Sequence, residues 1–300
     1  MFFRNLTMFT YPQLQLFDWQ EGLQASVLKP VGPLEMCSAG FISPFGREEK
    51  ELLSHEIGRC VWMAIGAEEK ILPPAVVGNL LELKLLEIEE RDGRRPGGRE
   101  RKRIKDDLLH ELLPRAFVRP TRTDLYLDHQ RGVVFVDTSS RKTGEAAMSQ
   151  LRNVVGSFPA LPLNAEVSPR AILTSWVAGE PLPEGLSLGE ECELRDPVEG
   201  GAIVRCQHHE LRCDEVDLHL ETGKQVTKLA LVLDDHLSFV LGDDLIVRKL
   251  RFLDGALDQL DLGDEDGRRA ELDTRFALQI GEVGRLYDLV REHFRLTTYA

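Results

Sequence analysis

Between residues 91 and 105 the chain places eight cations, Arg91, Arg94, Arg95, Arg99, Arg101, Lys102, Arg103 and Lys105, against only Asp92 and Glu100. Guanidinium and ammonium groups at that density create a strong local positive field, and the group that answers it best is the phosphate. Each phosphate neutralised releases counterions, so such a run can bind nucleic acid in a salt-dependent way. The plainer alternative is a solvated turn whose arginines keep a helical hairpin soluble.

Two other groupings could do chemistry. Cys206, His208, His209 and Cys213, with Cys192 and His219 nearby in sequence, form the one candidate metal cluster. Thiolate and imidazole suit zinc, but no Cys-x-x-Cys knuckle is present, so these residues are expected to be incidental to a strand-to-helix connection. Asp254, Asp258, Asp261, Asp264 and Asp266 could hold magnesium ions for phosphodiester hydrolysis. That run reads instead as an acidic loop, with no sign of ligands fixed on separate strands. The chain has no Walker phosphate loop, no dinucleotide glycine fingerprint and no His-Glu-x-x-His pair, so no catalytic residue, metal or cofactor is expected.

The elements that would carry the basic run follow from periodicity. After Pro73-Pro74, which suit the opening turn of a helix, Val77, Leu80, Leu81, Lys84, Leu85 and Ile88 repeat at the helical period. Gly93 and Pro96-Gly97-Gly98 break the chain. A second helix is expected from Arg99, with Ile104, Leu108 and Leu112 on one face, ending before Pro114. The spacing therefore predicts a helical hairpin with the cations gathered at its tip. Residues 2–10 and 60–66 read as strands and 14–28 as a helix, while 121–128 and 132–137 read as a β-hairpin and 144–155 as a helix. Further on, 202–206, 225–233, 237–241 and 245–252 are expected strands, and 282–294 a terminal helix. The fold class is therefore α+β with mixed antiparallel sheets, divided into an N-terminal module, 1–165, and a C-terminal module, 166–300.

Other cations sit singly. Lys70 precedes Ile71-Leu72-Pro73, Arg115 and Arg119 follow the second helix, and Lys228 interrupts an apolar strand. In 245–252, strict alternation puts Lys249 and Arg251 on one side and Arg248 on the other, so the first two could line one surface or simply pair with carboxylates. Phe117 lies among arginines, where it could pack locally or anchor a partner surface.

Composition narrows the classes. The chain has 300 residues, 42% of them hydrophobic and 29% charged, which is ordinary for a globular protein. The formal net charge is −13, so any phosphate-binding surface must be local, with screening over about 8–10 Å muting the acidic remainder. Five cysteines, an odd number, are expected to be reduced. No apolar run is long enough for a membrane span and no secretory leader pattern is present, so a cytoplasmic location is expected.

Taken together, Ala67-Glu68-Glu69-Lys70-Ile71-Leu72-Pro73-Pro74, His110-Glu111-Leu112-Leu113-Pro114-Arg115-Ala116-Phe117, Val226-Thr227-Lys228-Leu229-Ala230-Leu231 and Leu250-Arg251-Phe252 resemble, in this order, the bacterial RdgC family of recombination-associated proteins. The resemblance runs from Phe3-Arg4-Asn5-Leu6 to the last helix. It implies curved subunits that form a ring-shaped homodimer, bind duplex DNA without sequence preference, restrain RecA and associate with the nucleoid. It also implies that Phe117 sits in a contact that closes the ring. Lys70, Arg94, Arg95, Arg99, Arg101, Lys102, Arg103, Lys105, Arg115, Arg119, Lys228, Lys249 and Arg251 are the expected DNA-binding residues. The Cys206–Cys213 stretch departs from the family pattern. The rival expectations are a metal-dependent nuclease and an acidic scaffold for repair proteins.

Overall fold

The computed structural model describes residues 2–12, 19–46, 49, 51–198, 201–258 and 268–297. In chain order it runs β1 (Thr7–Thr10), α1 (Trp19–Ala25), β2 (Cys37–Ile42), β3 (Ser54–Ile57), β4 (Cys60–Ile71), α2 (Pro74–Asp92), α3 (Gly98–Leu112), β5 (Phe117–Asp128), β6 (Val133–Val136), α4 (Arg141–Val155) and β7 (Leu161–Pro162). There follow α5 (Pro169–Val177), β8 (Leu186–Arg195), β9 (Ile203–Gln207), α6 (Asp214–Glu221), β10 (Gln225–Leu233), β11 (Leu237–Gly242), β12 (Val247–Phe252), α7 (Asp254–Leu257) and α8 (Arg268–His293). The first sheet has the order β2-β4-β5-β6-β1-β7, with β3 also on β4, and the second β12-β11-β10-β8-β9. Their strand pairings are antiparallel, as the alternating patterns imply.

Period-two alternation gives the first sheet two apolar faces. On one, Phe9, Phe41, Met63, Leu125 and Val134 pack against Trp19 and Leu23 of α1 and Ala147, Met148 and Leu151 of α4. On the other, Met8, Trp62, Tyr126 and Phe135 join a larger core that also contains the inner face of the second sheet, α5 and α8. Both sheets stay on their own side of residue 165, while this core draws on both halves. Helix α8 is central to it: Phe276 lies 5.3 Å from the Trp62 ring, and Tyr287 meets Phe135 edge-on at 5.8 Å. Val283, Tyr287, Val290 and Phe294 of this region are fully buried.

Polar links fix the same helix at both sheets. Arg131, in the β5–β6 turn, donates to Asp128 at 2.8 Å and to Asp288 of α8 at 2.8 Å. Asp128 is 2% exposed and also accepts the Gln130 and Arg131 backbone amides. Toward the second sheet, His236 lies 3.0 Å from Glu282, and Arg285 pairs with Asp234.

The expected terminal helix is longer than its apolar pattern, reaching back to Arg268, and the first strand is shorter, starting at Thr7. Strands β2, β3, β7 and β8 and helices α5 and α7 were not expected, and α6 was expected only as the helix after the Cys206–Cys213 connection. Asp261, Asp264 and Asp266 lie outside the described residues. Among the described residues no helix is long and apolar enough to cross a membrane.

Removing Arg131 would leave the buried Asp128 carboxylate without its counter-charge. Arg131→Met is expected to lower unfolding stability by about 2–4 kcal/mol in urea titrations, whereas Asp288→Asn, at the more exposed end, should cost under about 1 kcal/mol.

Candidate nucleic-acid interface

Pro74 opens α2, and Gly93, in the left-handed region at φ 67°, closes it by donating its N–H to the Glu89 carbonyl. Val77, Leu81 and Leu85 then pack against Leu108, flanked by Ile104 and Leu112, so the hairpin has its own small core. This antiparallel return also brings the acidic half of α2 beside the basic start of α3. Arg91 pairs with Asp92 at 2.8 Å, Arg94 with Glu100 at 3.1 Å, Arg95 with Glu82 at 3.3 Å, and Arg101 with Glu82. Glu82 stands nine residues before Arg91 and is not counted with the turn, yet it meets both Arg95 and Arg101, so the tip is less positive than local composition suggests. Among the described residues, Arg99, Lys102, Arg103 and Lys105 are exposed with no carboxylate partner. The helical period turns Arg99, Lys102 and Arg103 away from the apolar stripe of α3. The pairs at the tip are solvent-facing and therefore weak, and a phosphate can displace them at little cost.

A second cationic surface lies on the outer face of the second sheet. Strand β12 does not alternate strictly: Val240 opposes Arg248 and Ser238 opposes Arg251, so the chain holds one extra residue at a bulge, where Lys249 has φ 54°. Val247, Leu250 and Phe252 consequently face the core, while Arg248, Lys249 and Arg251 all face outward. The expectation that Arg248 lies opposite the other two is corrected by this bulge. Arg195 of β8, Arg205 of β9 and Lys228 of β10 complete a face of six cations, set against Glu191, Glu193 and Asp244. Lys228, Arg248 and Lys249 line one pocket of about 330 Å³ there, together with Arg205, Glu191 and Glu193. Arg195, Arg205 and Arg248 were missed, since only the pairing of β10 with β8 and of β8 with β9, and the bulge, place them beside Lys228.

Glu193 organises that face. Its side chain is 7% exposed, receiving Arg205 at 2.9 Å and Lys228 at 3.1 Å. Burial pushes its carboxyl up, but hydrogen bonds from Arg205, Lys228 and Thr227 and the Lys228 charge outweigh it and hold the group at about 2. Lys249 is held at 2.7 Å by Glu191, and Arg251 is exposed with no carboxylate partner among the described residues.

The remaining expected residues are scattered. Lys70 is 5% exposed, and its ammonium donates to the Gly32 and Pro33 carbonyls at 2.6 and 2.5 Å, so its task is to hold the 28–36 segment on β4. Arg119 faces Glu69 directly across the β4–β5 ladder and pairs with it at 2.5 Å. Arg115 is exposed in the short turn after α3. Phe117 begins β5 opposite Ile71 and is 84% exposed, which removes local packing as its role within one chain. The Gly185-Leu186-Ser187-Leu188-Gly189 stretch has the spacing of a hydrolase nucleophile elbow, but Ser187 lies inside β8 opposite Val232, whereas an elbow needs a strand-to-helix turn.

A protein-family model described as "Putative exonuclease, RdgC" matches residues 1–296. The chain belongs to the RdgC family. It is similar to the recombination-associated protein RdgC of Stenotrophomonas maltophilia, at 69% identity over 298 residues and 99% of both chains. The proteins of the same name from Xanthomonas campestris and Xanthomonas oryzae are 66% and 65% identical over the same coverage. The RdgC relatives are thus named for recombination, the family model for an exonuclease. Among the described residues, the one close grouping of three or more histidine, cysteine and carboxylate donors is His209, Cys213 and Glu215, which contains a single carboxylate.

A carboxyl held at about 2 in the folded chain and near 4.5 when unfolded stabilises the fold fully above pH 4.5, and the contribution disappears as pH falls through 2. Glu193→Gln is expected to cost about 1–2 kcal/mol at pH 7, the solvent-facing partners being partly screened. Urea titrations from pH 7 downward should show the gap between variant and parent shrinking between about pH 4.5 and pH 2.

Proposed function

We propose that the protein binds duplex DNA without reading its sequence, as a homodimer closed into a ring, and that it restrains RecA-promoted recombination by occupying the duplex. The observation that carries this reading is the set of exposed cations without carboxylate partners, Arg99, Lys102, Arg103 and Lys105, in a chain of net charge −13. The outer face of the second sheet, with Lys228, Lys249 and Arg251, supplies a second surface of the same sign. Arg94, Arg95, Arg101 and Arg119 join by exchanging weak surface pairs for phosphates, and Arg115 joins from the exposed turn after α3; Lys70 acts behind them as a support. Phosphate contacts of this kind position a protein and carry no sequence information.

The exposure of Phe117 supports its place in the dimer contact, since leaving a phenylalanine in water forgoes about 2–3 kcal/mol. Ile71, its cross-strand neighbour, and Val118 are exposed beside it at 44% and 43%. A ring of two curved subunits closes at two contacts, so loss of one contact opens the ring without separating the subunits. Such a protein would work on the nucleoid, in the cytoplasm.

The family model's description favours a second reading, a metal-dependent nuclease. Its candidate ligands are the aspartates of the acidic run 254–266.

Each neutralised phosphate adds about 0.9 to the dependence of log affinity on log salt. Replacing Arg99, Lys102, Arg103 and Lys105 by alanine should lower that slope by about 2 or more, with equal losses on unrelated duplex sequences. An unchanged slope would remove the hairpin tip from the interface. Phe117→Ala should remain folded and dimeric by sedimentation yet retain circular duplex less well than the parent, and unaltered retention would exclude it from a closing contact. Linear, circular and branched DNA should survive incubation with magnesium or manganese. Cleavage abolished by Asp264→Asn with Asp266→Asn would establish the nuclease reading instead.

A further inference from the structure

The connection from β9 to α6 brings three different donors together. His209 Nδ1, Cys213 Sγ and a Glu215 carboxylate oxygen lie within 4.8 Å of one another, and sulfur and nitrogen are 3.7 Å apart. A tetrahedral zinc ion, with bonds of about 2.3 Å to sulfur and about 2.0–2.1 Å to nitrogen, separates these two ligands by about 3.6 Å. The pair already stands at ligand spacing.

The loop that holds them is anchored. His208, at φ 52°, turns the chain out of β9; the His209 amide donates to the Glu190 carbonyl at 3.3 Å. Leu211 is buried in the core, and Arg212 donates to the Trp176 and Glu180 carbonyls at 2.9 and 2.8 Å. Cys213 is the N-cap residue of α6, which fixes its thiol at the start of that helix. Asp214, Glu215 and Asp217 in the first turn offset the positive helix end, so a cation is not repelled there. His209 and Glu215 are exposed and Cys213 half-buried, which leaves the approach open to an ion from solvent.

We propose that His209, Cys213 and Glu215 bind one zinc ion, with water in the fourth position. The grouping differs from the one suggested by cysteine and histidine spacing alone. His208 points elsewhere, 3.8 Å from Glu190. Cys206 faces Cys192 across the β8–β9 ladder, and burial pushes the Cys192 thiol up to about 12, so that sulfur keeps its proton. Glu215, absent from any Cys/His motif, supplies the third ligand. In the metal-free chain His209 Nδ1 lies 2.6 Å from the Glu210 carbonyl, to which it must donate. Loading therefore requires the other neutral tautomer, with the ring proton on Nε2, and swings the exposed ring off the carbonyl, while the Cys213 thiol gives its proton to solvent.

Cobalt(II) serves as the spectroscopic probe on metal-stripped, full-length protein. One equivalent should produce a thiolate-to-cobalt charge-transfer band that zinc abolishes by displacement. Cys213→Ser should lose the band, His209→Ala and Glu215→Gln should weaken cobalt and zinc binding at least tenfold, and Cys206→Ser and His208→Ala should behave as the parent. If Cys213→Ser fails to fold by circular dichroism, the two surface variants decide alone. Absence of a band, binding that His209→Ala and Glu215→Gln leave unchanged, or a band lost with Cys206 instead of Cys213 would overturn the assignment.

Discussion

Burial of α8 between the two sheets is the constraint on which the rest of this fold depends. Phe276, Tyr287 and Phe294 each bury an aromatic ring, and loss of such a side chain costs about 3–5 kcal/mol. Because the helix is clamped to Arg131 on one side and to the His236 and Asp234 turn on the other, the two sheets are held at one relative placement. Everything proposed for function hangs outside this clamp. The hairpin projects from the exposed ends of β4 and β5, and the second cationic face is the side of the second sheet turned away from α8.

Charge is distributed by the same architecture. A protein with this net charge would repel a polyanion if its cations were spread evenly, and local concentration at the hairpin tip and on the outer sheet face answers that difficulty. Carboxylates are not excluded from these places. At the sheet face Glu193 is buried and shares its two oxygens among Arg195, Arg205 and Lys228, which fixes the cations in position and leaves the face positive. At the tip the pairs are exposed and exchangeable, so the two surfaces differ in rigidity though not in sign.

The hairpin was the most legible part of the sequence. Prolines at its start, glycines at its turn and an uninterrupted helical period all point the same way, and α2 and α3 begin and end within a residue or two of expectation. Strand β8 was unreadable for the opposite reason: Glu190, Glu191 and Glu193 look like a solvated loop, yet the strand lies inside its sheet between β10 and β9, and Glu193 is buried and ion-paired. The bulge at Lys249 has no signature in side-chain alternation, because it consists of a lysine in a backbone region usually left to glycine. Pairings such as Arg101 with Glu82 depend on chain return, and Lys70 was misplaced because a buried lysine held by two carbonyls looks in sequence like any other cation.

The central claim is that duplex DNA lies against the hairpin tip and the outer face of the second sheet. Lysine acetylation footprinting with and without duplex tests it most directly, because each residue reports separately. The account predicts strong protection of Lys102, Lys105, Lys228 and Lys249 on DNA binding, unchanged reactivity at the exposed Lys29 and Lys142, and low reactivity of buried Lys70 in either state. Protection at Lys29 or Lys142 while Lys102, Lys105, Lys228 and Lys249 stay reactive would contradict it.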